Sequence, residues 1–174
     1  GDHKMSILEL FGKKALVFDG AMGTMLQARG LKPGQLPETL NRLSPSAVLD
    51  VHRAYINAGA DVISTNSFGA NAIKLAPYGL DSESEVFLAV SLAKQAASGS
   101  DRKIFVAADI GPTGKLMPPL GDFSFEEAVN AFKGAVIGAQ KAGADLIFFE
   151  TFSDLYECKA AITAAKENSD LPIA

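Results

Sequence analysis

Residues 142–152 read AGADLIFFETF, and residues 58–68 read AGADVISTNSF. In both, Ala-Gly closes a helical pattern and Ala-Asp leads into a short apolar run. The run then stops on a polar residue, Glu150 in one case and Asn66 in the other. A short apolar run bounded by turn signals is the pattern of a strand buried on both faces, as parallel sheets require. The tetrapeptide AGAD is in itself an ordinary helix-to-strand turn, because glycine caps helices and small residues let helix and strand approach closely. The polar endings are what that turn does not explain.

Working outward from these runs, the same unit recurs. Residues 15–18 (ALVF) form an apolar run followed by Asp19-Gly20, a strand and a tight turn. Residues 31–45 hold three prolines and a glycine and read as loop. Ser44-Pro45 then opens a helix with proline at its first position, carrying Val48, Val51, His52 and Tyr55 on one face and Gly59 at its end. Residues 62–64 are the second strand. Ser82 with Glu85 reads as a capping box for a helix ending near Gly99, and residues 104–108 are the third strand. The turn-rich DIGPTGKLMPPLGDF follows, then a second capping box, Ser124 with Glu127, opening a helix to about Lys141. The fourth strand is 146–149, and Ser153 is the expected N-cap of a helix reaching about Asn168. Residues 171–174 start something new.

Four βα units and the opening of a fifth strand imply an α/β protein with a parallel sheet and helices outside it. An open sheet that binds a dinucleotide would carry G-x-G-x-x-G after its first strand, whereas DGAMGT has glycines only at Gly20 and Gly23. A (β/α)8 TIM barrel instead gathers single polar residues from the C-terminal ends of several strands. Asp19, Asn66, Asp109 and Glu150 stand at that position in the four units. The expectation is therefore the first half of such a barrel, since a full one needs about 250 residues and the chain has 174. Residues 1–4 precede Met5 and read as a cloning remnant, leaving 5–174 as the N-terminal half of a barrel domain.

Composition removes several function classes. Hydrophobic residues make up 48% of the chain, ample for one core, and the net charge of −4 is scattered, with no basic stripe for nucleic acid. No run approaches the roughly 20 apolar residues that span a membrane, so a cytoplasmic protein is expected. Cys158 is the only cysteine, which excludes an intrachain disulfide and a thiolate metal cluster made by this chain alone. Cys158 falls mid-helix and is expected to be small and buried. His52, on an apolar helical face, is expected to be a packed structural residue, and His3 belongs to the remnant. Grouped at one mouth, Asp19 and Glu150 would suit an ammonium group and Thr65 or Asn66 a carboxylate, together a pocket for a small amino acid. Paired carboxylates also serve glycoside hydrolysis, but the chain has no tryptophan for a sugar platform.

FDGAMGTMLQ (18–27), PETLN (37–41), VHRAYINAGADVISTNSFGAN (51–71), AADIGPTGKLMPPLG (107–121) and IFFETFSDLYECKAAI (147–162) resemble, in order, the homocysteine S-methyltransferase family. They are most of all similar to the N-terminal homocysteine-binding domain of bacterial cobalamin-dependent methionine synthases. Betaine-homocysteine methyltransferases resemble the chain more distantly, sharing the aspartate, threonine and glutamate but not DIGPTG. The resemblance implies a barrel in which zinc, held by three cysteines, binds homocysteine as its thiolate for methyl transfer to give methionine. It implies cobalamin and methyltetrahydrofolate as cofactors carried by other domains of a multidomain parent. It assigns Asp19, Gly20, Thr65, Asn66 and Glu150 to the substrate, and Asp109 and Gly111 to the site wall. The family's cysteine motifs, G-x-N-C-like and G-G-C-C, do not occur in this sequence. No metal ligand and no complete catalytic set is thus expected in this chain, which alone should be inactive, its methyl donor undetermined. A second expectation is that exposed half-barrel edges pair two copies into a homodimer.

Overall fold

The computed structural model describes residues 6–10 and 12–174, so the expected remnant at 1–4 lies outside the described residues. Its centre is a parallel sheet of β1 (Val62–Ser64), β2 (Phe105–Ile110) and β3 (Leu146–Phe149), in sequential order. The segments expected as first and fifth strands are reduced to single parallel bridges on the two edges, Phe18 to Val62 and Ile147 to Ile173. The main chain still runs as expected on the first edge, where Asp61 and Val62 donate to the Val17 carbonyl and Asp19 donates to that of Val62. Each edge segment has one strand neighbour only, and the ladder is correspondingly short.

The helices are α1 (Met22–Gln27), α2 (Leu40–Leu43), α3 (Pro45–Asn57), α4 (Ala72–Leu75), α5 (Ser82–Ser98), α6 (Phe125–Ala142) and α7 (Leu155–Asn168). The segment expected as plain loop contains α2 and a short 3-10 turn, Pro37–Thr39, and α1 follows the Asp19-Gly20 turn directly. Prolines at positions 33, 37 and 45 hid these short pieces, although proline is well tolerated in a first turn. The α6 capping box is present as expected, with Ser124 and Glu127 bonded reciprocally. The Ser82–Glu85 box is not. Asp81 caps α5 by accepting from Ser84, while Glu85 is buried and paired with Arg42 at 2.7 Å. Asp154, not Ser153, caps α7, accepting from Tyr156 and Glu157. In both corrected cases a carboxylate one residue away occupies the N-cap position, where free N–H groups of the first turn reward its charge.

Alternation along the strands splits the core. Ile63, Val106, Ala108, Ile110 and Ile147 pack against Val86, Val90, Phe132, Val136 and Ala161 of the helices. Val62, Phe105, Ala107 and Leu146 face the other way, toward Ile7 of the N-terminal turn. Against the start of α5, Gly138 of α6 leaves no space for a Cβ and Gly134, one turn earlier, only a tight fit, which sets how closely these helices pack. The aspartates of the two AGAD turns do the same work twice. Asp61 accepts from the Val17 N–H at 3.1 Å and from Lys14 at 2.8 Å, and Asp145 accepts from the Val106 N–H at 2.8 Å and from Lys94 at 2.6 Å. Each ties the start of its strand to the preceding one, at the end of the sheet opposite the polar residues.

His52 is fully buried on α3 as expected, with neither ring nitrogen partnered, and burial pulls its pKa down to about 4. Cys158 is half-buried on α7, more open than expected.

Candidate functional site

At the C-terminal ends of the strands lies a cavity of about 540 Å3. It is lined by Met22 of α1, Glu38, Thr65 to Gly69 after β1, Lys74 of α4, Asp109 of β2, and Glu150 with Thr151 after β3. This is within the range of small-molecule sites. Parallel strands all point one way, so the residue that ends each apolar run arrives at the same rim.

Two carboxyl groups in the lining, Asp109 at the end of β2 and Glu150 after β3, are joined from the side by Asp19 of the first edge segment. Asp19 lies at the edge, its Oδ2 accepting the Ser64 N–H at 2.9 Å. Burial raises its pKa to about 6 against the pull of that bond, and the Glu150 charge adds to the rise. Asp109 is 7% exposed, and its Oδ1 has no partner. Burial first, then the adjacent Glu150 charge and a hydrogen bond with the Glu150 carboxyl, push it up to about 9. Asp109 is therefore the neutral acid of the group at neutral pH. Directly after Glu150, Thr151 adopts a left-handed φ of 63°, unusual for a β-branched residue. Such an outlier is retained where surrounding contacts over-determine the backbone, frequently beside a functional group.

The two residues expected to take a ligand carboxylate line the cavity with their side-chain donors already engaged. Ser67 donates its hydroxyl to the Asp109 carbonyl at 2.8 Å, Thr65 therefore donates to Ser67 at 2.6 Å, and the Asp109 N–H donates to Thr65 at 3.0 Å. The closed ring of three bonds holds the backbone of Asp109. Asn66 donates from Nδ2 to the Pro37 carbonyl at 2.9 Å and to Asn41 Oδ1 at 3.0 Å, and Asn41 donates back to the Asn66 carbonyl at 2.9 Å. This buried amide pair staples the 37–41 segment across the cavity.

Gly20 and Gly111 stand behind the lining. A Cβ on Gly20 would lie 2.9 Å from the Tyr55 hydroxyl, which itself donates to the Ala21 carbonyl. A Cβ on Gly111 would enter the ring of Phe68, whose carbonyl accepts the Gly111 N–H at 2.8 Å. Glu157 of α7 accepts from both the N–H and the hydroxyl of Thr113 and so anchors the GPTG turn.

Sequence reasoning missed Glu38, Phe68 and Lys74. Glu38 is 2% exposed, one oxygen bonded to the Gly69 N–H and the other unpartnered, and burial raises its pKa. Lys74 lies 5.2 Å from the Phe68 ring centre and is the one cationic residue among those lining the cavity. Glu38 sits inside PETLN, so it was visible as part of the resemblance, but nothing local distinguishes it from a loop acid.

Among the described residues, no group of three or more His, Cys, Asp or Glu is placed to hold a metal ion, and Cys158 is not among the cavity's lining residues. The residues present do not fit the zinc that the resemblance implies. No helix among the described residues is long and apolar enough to cross a membrane.

The family model described as homocysteine S-methyltransferase matches residues 16–174. A methionine synthase from Mycobacterium tuberculosis (strain ATCC 25618 / H37Rv) is 35% identical over 178 residues, covering 94% of this chain and 15% of the relative. One from Mycobacterium leprae (strain TN) is 33% identical, covering 94% and 14%. The chain thus spans about a seventh of the length of these relatives. Among solved structures, the homocysteine methyltransferase MmuM from Escherichia coli matches in its oxidized form with a TM-score of 0.82 at 27% identity, covering 94% of this chain and 62% of that one. Its metallated form matches with a TM-score of 0.73 at 29% identity, covering 92% and 63%.

Proposed function

The chain belongs to the homocysteine S-methyltransferase family, and from this we propose that it forms the amino-acid-binding wall of a homocysteine S-methyltransferase domain in a multidomain methionine synthase. On this reading the parallel sheet is the first half of a closed barrel, and residues 5–174 are the N-terminal half of that domain. The observation that carries it is the pairing of Asp109 and Glu150, from the ends of β2 and β3, in the lining of one cavity of about 540 Å3, with Asp19 of the first edge segment near enough to act on Asp109. An ammonium group entering there meets acids that burial has left short of partners, which favours a cation strongly. The substrate carboxylate is left to Lys74 and to backbone N–H groups, because Thr65 and Asn66 are engaged within the protein.

Zinc, cobalamin and methyltetrahydrofolate belong on this reading to parts of the parent beyond this segment. What this chain's own residues do is bind and orient the amino acid. Asp19 and Glu150 take the ammonium, Phe68 and Met22 pack against the apolar stem, and the Asn41–Asn66 pair keeps the 37–41 segment closed over it. The isolated chain should form no methionine from any donor, a betaine-type donor included.

The test is calorimetric binding of homocysteine to the full-length protein. Glu150→Gln should weaken it about 10- to 100-fold, the range for losing one charged hydrogen bond, with zinc content unchanged. Unchanged affinity would remove the reading. A second reading, self-association of the isolated chain, is favoured by Val17 and Phe18, 57% and 37% exposed on the first edge of the sheet.

A further inference from the structure

The cavity gathers more negative charge than its surroundings balance. Asp109 is faced by Glu150 beyond β3, by Asp19 on the edge segment and by Glu38 of the 37–39 turn, and Lys74 is the one cation among the lining residues. Two carboxyl groups within hydrogen-bond reach cannot both stay ionised in a poorly hydrated site unless a cation or a proton lies between them. The geometry selects which group keeps the proton. Asp109 is the most enclosed of the three strand-end acids, its backbone is locked by the Thr65–Ser67 hydroxyl ring, and its Oδ1 has no donor from the protein. Asp19, by contrast, is stabilised as a carboxylate by the Ser64 N–H.

We infer that Asp109 is a neutral acid donating its carboxyl hydrogen to Glu150, and that an amino-acid ammonium docking on Glu150 and Asp19 replaces that proton, which leaves to solvent. This rests on the reading that the cavity takes an amino acid. Asp109 is then a positioning residue. In the empty cavity it holds the Glu150 carboxylate in place, and in the occupied cavity it supplies a further negative charge. The charge balances, since one ammonium enters as one proton departs. Burial of Asp109 supports the same assignment, its pKa standing near 9.

The experiment uses methionine as probe, because it has the ammonium and carboxylate of the substrate but no thiol to release a proton of its own. Methionine is titrated calorimetrically into the full-length protein in buffers of different ionisation enthalpy between pH 6.5 and 8. The wild type should release about one proton per methionine, its affinity rising about tenfold per pH unit. Asp109→Asn keeps a donor for Glu150 but has no proton to lose, so it should bind methionine with no proton release and a flat pH profile. Equal proton release in Asp109→Asn, or none in the wild type, overturns the inference.

If methionine does not bind, the functional reading fails on its own, and infrared difference spectra of the ligand-free proteins decide the inference. A carboxylic-acid C=O band at pH 7 that Asp109→Asn removes upholds the proton held between Asp109 and Glu150, and the absence of such a band overturns the inference. Should the variant not fold, the spectra are taken on Glu38→Gln, which removes the other buried acid whose pKa burial raises. Where methionine binds, loss of the band on binding upholds the inference and its persistence overturns it. Where methionine does not bind, a band that vanishes only above pH 8 upholds the shared proton alone, and one already absent at pH 7 overturns the inference.

Discussion

Asn66 shows how far a residue's type can mislead about its task. An asparagine at a strand end invites assignment to a ligand, yet both Nδ2 hydrogens are engaged with Pro37 and Asn41. Its work is to fix the segment that carries Glu38 over the cavity. Replacing Asn66 by alanine leaves the buried Asn41 Oδ1 without its donor, while the Asn41 amide N–H keeps the Asn66 backbone carbonyl, and should cost about 2 kcal/mol. Because Asn41→Ala also removes the shared Asn66 Nδ2 to Asn41 Oδ1 bond, the double variant should cost less than the sum of the two, a coupling readable from urea denaturation of all four proteins. Additive losses would mean that the amides act independently. Gly111 illustrates the same point on the apolar side. Gly111→Ala would drive a methyl into the Phe68 ring, so a cost of about 1–3 kcal/mol from overpacking is expected in the same assay.

At the scale of elements, helix starts obey charge and geometry more closely than motif spelling. Ser82 with Glu85 matches the capping-box pattern, but Glu85 is drawn into the interior by Arg42 and Asp81 takes the cap. At α7, Asp154 accepts two N–H bonds while the neighbouring Ser153 is exposed and caps nothing. Asp154→Ala should therefore destabilise by about 1 kcal/mol and Ser153→Ala by close to zero, measured as a shift in the urea midpoint. The reverse order would return the cap to Ser153. Strand definition follows neighbour number. β2 has a strand on each side and is buried along its whole length, whereas the segment at Phe18 has one neighbour and forms a single bridge.

For the whole molecule, two buried groups pull stability in opposite directions with pH. Asp109 has a folded-state pKa of about 9 against an ordinary 3.8, so its contribution is full below about 3.8 and is lost as pH rises through about 9. His52 has about 4 against 6.5, so its contribution is full above 6.5 and is lost as pH falls through about 4. Asp109→Asn should flatten the alkaline side of the stability profile and His52→Leu the acid side, both read from denaturant unfolding at several pH values. An unchanged slope in either variant would show that the group titrates normally. The isolated chain should also self-associate in sedimentation, with Val17→Lys reducing the effect, because Val17 exposes its side chain while only its backbone binds Asp61. A wild type that sediments as a monomer at all concentrations would remove that reading.

Local pattern was enough for much of this protein. Apolar runs after AGAD, amphipathic helices and strand-end acids are set by nearest neighbours in sequence, so the parallel βα organisation and the rim positions of Asp19, Asp109 and Glu150 could be read directly. The motifs also carried the family. What only the tertiary structure decided was which groups face each other across it. The Asn41–Asn66 pair, the Arg42–Glu85 pair and the Glu38–Gly69 bond join residues 25 to 43 positions apart, and the Asp109–Glu150 contact joins two strands. Charge state and side-chain role follow from such encounters, because burial and partners come from the whole fold and not from the residue's own surroundings in the chain.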